Sequence, residues 1–243
     1  MKAILFDLDG TLLPMEQETF TKMYFKALAG KLAPYGYNPT ELVNAIWQGT
    51  DSMVQNEGLH SNEKVFWDTF SNIYGKKGYD DRKIFDDFYL NDFDVLKDVC
   101  GYEPQVEEVI KKMKELGYKL ILASNPIFPM VAQEKRLKWA GLNIADFEYI
   151  SSYENSRYCK PNPKYYIELA EKIGCETNEC LLVGNDVTED MVAEVTGMKV
   201  FLLTNMLINS EGKDISQYPR GNFNQLVTCV EKLGGNDEKE RIY

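Results

Sequence analysis

Two carboxylates two residues apart, Asp7 and Asp9, follow directly on the apolar run Ala3-Ile4-Leu5-Phe6. Gly10 and Thr11 then bend the chain away. The run reads as a short buried strand, which puts both acids at its mouth. An ionised carboxylate is costly to bury unless it is paired or bound to a cation. A divalent cation together with phosphate chemistry would account for two of them.

A phosphate monoester is among the most inert bonds in water, and enzymes accelerate its hydrolysis by up to ~10²¹-fold. A carboxylate nucleophile splits that reaction in two through an aspartyl-phosphate. Two anions must then meet, which calls for a bridging cation. Mg²⁺ suits a site built of oxygen donors. Asp7, at the strand end, is placed to be the nucleophile. Asp9 is placed to protonate the leaving oxygen and later to activate water, and its backbone carbonyl to bind the metal. Asp186, after a second strand, would complete the metal site. Lys160 would neutralise charge on the phosphate or the nucleophile. Ser124, with nearby backbone N–H groups at a helix start, would hold the phosphoryl oxygens.

Each fragment alone has a plainer explanation. D-x-D-G-T also occurs as a turn or a calcium loop. Ser124-Asn125-Pro126 also reads as a helix cap, and Lys160-Pro161-Asn162-Pro163 as an exposed helix start. Asp186 and Asp190 also suit the first turn of a helix, where acids complement its dipole. Their order, and their common place at strand ends, outweigh those readings.

The elements that would position them alternate. Strand-like runs are expected at Ala3–Phe6, Tyr118–Ala123, Phe147–Ser151, Cys180–Val183 and Lys199–Leu203, with helices at 104–116, 129–140, 163–173 and 187–196. Strands apolar on both faces indicate a parallel sheet covered on both sides, in which ligands bind beyond the carboxyl ends of the strands. Between the first strand and the rest, residues 16–90 carry helical periodicity only. Asn38 and Ser61 are expected helix caps, Gly49 and Gly75 expected stops. The expected organisation is α/β: a core of residues 1–14 and 93–243, and an inserted helical domain of residues 15–92, with linkers around 13–15 and 91–101.

On these residues the chain resembles the haloacid dehalogenase superfamily of aspartate-nucleophile hydrolases, specifically a phosphatase-like member with a helical cap inserted after the first strand. The motifs read Phe6-Asp7-Leu8-Asp9-Gly10-Thr11, Leu122-Ala123-Ser124-Asn125, Cys159-Lys160-Pro161-Asn162-Pro163 and Val183-Gly184-Asn185-Asp186-Val187-Thr188-Glu189-Asp190. The resemblance covers roughly residues 1–233. It implies a Rossmann-like parallel sheet, Mg²⁺ and an Asp7-phosphate. Asp7, Asp9 and Lys160 would be catalytic, and Ser124, Asn125 and Lys160 would bind phosphate. Asp7, Asp9 and Asp186 would bind the metal. Many relatives have Asp directly after the glycine of the last motif, where this chain has Asn185. Asp186 then takes the metal role, with Asn185 and Asp190 as further candidates, Asp190 as an outer acid or a ligand through water. Asp9 favours phosphate esters over dehalogenation. A phosphomutase using the same residues, or a non-catalytic module retaining the fold, are the competing readings.

Composition agrees with a small-molecule enzyme. The chain has 243 residues and a net charge of −11, which argues against a nucleic-acid or anionic-membrane partner. No apolar run approaches a membrane span. Five cysteines without C-x-x-C spacing fit a reducing cytoplasm better than a disulfide scaffold. The one histidine, His60, reads as a surface loop residue, which excludes a His-rich metal site. The expected partner is a small phosphorylated metabolite; oligomeric state is not specified. The aromatics of the insert, from Phe20 to Tyr89, are expected to be mainly its core. The turn expected at Gln48-Gly49-Thr50-Asp51 is the expected specificity region.

Overall fold

The structure, a computed structural model, describes residues 1–240; the side chains of 235–240 are not described. Six strands form one parallel sheet: β1 (Ala3–Phe6), β2 (Lys119–Leu122), β3 (Tyr149–Ile150), β4 (Cys180–Gly184), β5 (Lys199–Leu203) and β6 (Arg220–Gly221). Their order is β3-β2-β1-β4-β5-β6. The chain leaves the sheet centre in opposite directions on either side of β1, and the crevice of an open α/β sheet lies at such a reversal. The residues after β1 and β4 therefore face one another across it.

Alternation along the strands explains burial on both faces. Ile4, Phe6, Leu120, Leu122, Leu181 and Val183 join one apolar cluster. Ala3, Leu5, Ile121, Cys180 and Leu182 join the other. The first cluster continues into the helical insert, through α1 (Gln17–Leu32), α2 (Pro39–Val54), α3 (Asn62–Tyr74) and, after the short α4 (Lys76–Asp80), α5 (Arg82–Asp87). It also takes in α6 (Gln105–Glu115), α7 (Met130–Trp139) and α9 (Phe223–Glu240), whereas α8 (Pro163–Lys172) packs on the opposite face. Asn38 and Ser61 cap α2 and α3 as expected, through Asn38 Oδ1 and Ser61 Oγ. Among the described residues no helix is long and apolar enough to cross a membrane.

Several expectations change. Gly49 does not stop its helix: α2 runs on to Val54. A Cβ at Gly49 would lie 2.6 Å from the Phe66 ring, so the glycine lets α2 and α3 approach closely. Gln48–Asp51 is therefore helical, not a turn. The last helical stretch of the insert is broken at Asp87, and a π-helical turn at Phe88–Asp92 leads into a 3₁₀ stretch at Phe93–Val99 where a linker was expected. Val187–Thr196 is a turn followed by a 3₁₀ helix at Met191–Thr196. β6 was not foreseen. The helix α9 continues through Gly234 to Glu240; residues 241–243 lie outside the described residues.

Candidate active site

Asp7 follows the last residue of β1 and is held by its backbone N–H donating to Val183 O of β4 at 2.9 Å. Lys160, on the loop before α8, reaches up from beneath. Its Nζ donates to Asp7 Oδ1 at 2.7 Å and to Asp190 Oδ1 at 2.6 Å, with all three side chains buried. Asp190 comes close because Gly184 ends β4: a Cβ there would lie 2.2 Å from the Asp190 carboxyl. The other Asp190 oxygen accepts the Asp186 backbone N–H at 3.0 Å.

The charge balance shapes the protonation states. Burial opposes the Lys160 charge, but Asp190 and Asp7 outweigh it and raise the ammonium well above its ordinary pKa. Burial pushes the Asp190 carboxyl up, Lys160 pulls it back and Asp7 pushes it up further. Glu189 is also raised, chiefly by burial. One lysine thus faces more carboxylate charge than it can neutralise.

Asp9 has a partner that sequence reasoning missed. Arg136 of α7, 0% exposed, donates from one Nη to Asp9 Oδ2 at 2.5 Å. Its other Nη donates to Gln133 Oε1, and Gln133 Nε2 donates to Ser151 O at 2.9 Å. The guanidinium also lies over the Phe128 ring, 4.7 Å from its centroid. A chain of hydrogen bonds thus runs from the end of β3 to Asp9. Burial raises the Asp9 pKa, Arg136 draws it down and Asp7 pushes it up, with a net rise. Asp9 Oδ1 is buried with no hydrogen-bond partner among the described residues. The available signal was a Gln and an Arg on the buried stripe that α7 shares with Ala132 and Leu137.

The remaining candidates divide. Asp186 lines the crevice, and its Oδ1 accepts the N–H groups of Thr188 and Glu189 at 2.7 and 2.8 Å. The Asn185 amide is engaged within the protein, accepting from Thr11 Oγ1 at 2.9 Å and donating to Met206 O at 2.6 Å. Asn125 lines the crevice, accepts from Lys160 N at 3.2 Å and donates to Glu189 at 3.4 Å. Ser124 is 1% exposed and does not line the crevice; its carbonyl accepts from Ser151 Oγ and Tyr165 Oη. Among the described residues no three His, Cys, Asp or Glu side chains are grouped ready to hold a metal.

A cavity of about 380 Å³ lies above the strand ends, with Asp7, Asp9, Asp186 and Asp190 on its floor and the helical insert as its roof. Of the insert aromatics expected to be core, all but Phe70, Tyr74 and Phe88 also line it. Asn62 of α3 ties roof to floor, its Nδ2 donating to Pro126 O at 3.2 Å and lying 3.2 Å from Cys159 Sγ.

Comparison with known proteins places this arrangement. Residues 1–193 match a family model described as haloacid dehalogenase-like hydrolase. A Bacillus subtilis protein named as a phosphatase, YhcW, is 34% identical over 102 residues, 42% of this chain and 45% of that protein, so the match spans less than half of that relative's length. A Shigella boydii protein named phosphoglycolate phosphatase is 24% identical over 229 residues, 89% of this chain and 86% of its own. In fold, the chain is similar to the crystal structure of a phosphatase of this superfamily from Thermococcus onnurineus, with a TM-score of 0.56, 20% identity, and 95% of this chain and 98% of that chain covered. The chain belongs to the haloacid dehalogenase-like hydrolases.

Proposed function

We propose that the chain is a Mg²⁺-dependent phosphatase that hydrolyses a small phosphorylated metabolite through an aspartyl-phosphate on Asp7. The observation that carries this is the juxtaposition of Asp7, Asp9 and Asp190 on the floor of one cavity at the strand-order reversal, with Lys160 buried against Asp7 and Asp190. The phosphatase names of the relatives support it.

The donor set fits Mg²⁺. The floor is carboxylate-rich, and among the described residues neither histidine nor cysteine lines the cavity. Asp7 and Asp186 would hold the ion through their carboxylates and Asp9 through its backbone carbonyl, with Asp190 behind them. When bound, it would screen the phosphoryl charge from the carboxylates.

In the first step an Asp7 oxygen attacks phosphorus and the ester P–O bond breaks. The proton for the departing alkoxide comes from Asp9, whose raised pKa suits a donor. In the second step Asp9 takes a proton from water, the water oxygen attacks phosphorus, and phosphate leaves Asp7 free. Lys160 keeps Asp7 fixed and offsets its charge. Arg136 keeps Asp9 turned toward α7 until the substrate arrives.

The helical insert, residues 15–92, would act as the cap that excludes water. Its two crossings run side by side: Gly101 N–H donates to Pro14 O at 2.7 Å, and Met15 bridges Cys100. That pairing supports a hinge there.

The test is turnover of p-nitrophenyl phosphate. Activity should require Mg²⁺, disappear with chelator, and fall at least about 10³-fold in Asp7→Asn. Metal-independent turnover, or an active D7N protein, would refute the proposal.

A further inference from the structure

The roof of the cavity carries a signature of its own. Phe20, Phe25, Trp47, Phe66 and Trp67 line it, and Phe25 packs on Trp47 with ring centroids 5.4 Å apart. Trp47 is 46% exposed although it lines the cavity, so apolar surface awaits a covering group. Among the described residues no lysine, arginine or histidine lines the cavity, whereas Asp51 stands in the roof beside Trp47. Resting on the phosphatase reading, we infer that the substrate is the phosphate monoester of an alcohol bearing a flat, uncharged aromatic ring, with no second anion.

The physical reasons are independent of one another. Aromatic walls favour a ring through apolar burial and stacking. A second anion on the alcohol would meet Asp51 with no cation to offset it, and like charges brought together are strongly disfavoured. The volume, about 380 Å³, lies near the low end of small-molecule sites, which suits one ring system plus a phosphoryl group. Asp51 offers an acceptor to a ring hydroxyl or N–H. On this argument the chain does not share the substrate in the Shigella boydii relative's name, because phosphoglycolate carries a carboxylate where the ring should lie.

The test compares benzyl phosphate with phosphoglycolate, both esters of poor alkoxide leaving groups, on the full chain with Mg²⁺. Benzyl phosphate should have the higher kcat/KM by about 100-fold. Trp47→Ala should lower that value about 10-fold, mainly through KM, and Asp51→Arg should raise kcat/KM for phosphoglycolate. Calorimetric titration of the D7N protein reads binding without turnover. Benzyl phosphate should bind, weakly so in D7N/W47A, and phosphoglycolate should not. Equal or better use of phosphoglycolate, or benzyl phosphate binding insensitive to W47A, would overturn the inference. If no ester is turned over, the phosphatase reading falls and the titrations still decide: selective binding of benzyl phosphate upholds the ring site, and its absence refutes it.

Discussion

Arg136→Met isolates the least expected interaction of the site. The guanidinium is fully buried, and the Asp9 side chain that it pairs with is 23% exposed. Removing one partner of a buried pair costs about 3–5 kcal/mol, because the other charge stays behind unpaired. Partial exposure of Asp9 argues for the lower end, and loss of the Phe128 contact adds about 1 kcal/mol. Methionine refills much of the volume, so about 3 kcal/mol is expected at pH 8. The cost should shrink at lower pH. Burial and the Asp7 charge already hold the Asp9 pKa above its unfolded value, and without Arg136 it rises further. A raised carboxyl contributes stability that is fully present below its unfolded pKa and lost as pH rises through the folded one. The variant therefore loses more stability relative to wild type at pH 8 than at pH 5. The assay is urea unfolding with chelator present, as a cycle of R136M, Asp9→Asn and the double variant. The coupling energy should be at least about 2 kcal/mol. A cost below about 1 kcal/mol, or additivity within about 0.5 kcal/mol, would refute the buried-pair account.

Other predictions follow from the packing. Gly49→Ala should destabilise the protein by about 1–2 kcal/mol, since the methyl must displace the Phe66 ring and the helix-propensity gain offsets only part of the strain; thermal midpoints with and without Mg²⁺ check it. Asp94 accepts from Lys135 and Trp139, tying the Phe93–Val99 stretch to α7. Burial alone would raise its pKa, but these partners lower it, so its contribution is present above the ordinary carboxylate range and lost in acid. The carboxylate is largely exposed, so Asp94→Asn should cost only about 0.5 kcal/mol at pH 7 and nothing at pH 2, read from unfolding at the two pH values.

The central strands were legible because a parallel strand buried on both faces is a plain apolar run, and β1, β2, β4 and β5 end where polar residues begin. The motif acids were legible for the same reason: they are the first residues past those runs. β6 was hidden because two residues, Arg220 and Gly221, carry no pattern. Gly49 misled because a glycine that admits a neighbouring ring looks in sequence like a glycine that ends a helix. The insert aromatics were legible as core, since all but Trp47 lie in or against the main apolar cluster; that a cavity also borders them was not, because helical spacing marks a buried face without saying what lies beyond it. Arg136 was beyond reach: its partner is 127 residues away, and only the fold brings α7 beside β1.

The most direct test of the central claim is chemical trapping of the intermediate. The protein is mixed with Mg²⁺ and a phosphate ester, quenched in acid during turnover and reduced with borohydride, which converts an aspartyl-phosphate to homoserine. Peptide mass spectrometry should find homoserine at position 7 and not at position 9, only when both ester and metal are present. Steady hydrolysis with unmodified Asp7 in every quenched sample, or the label at Asp9 instead, would contradict it.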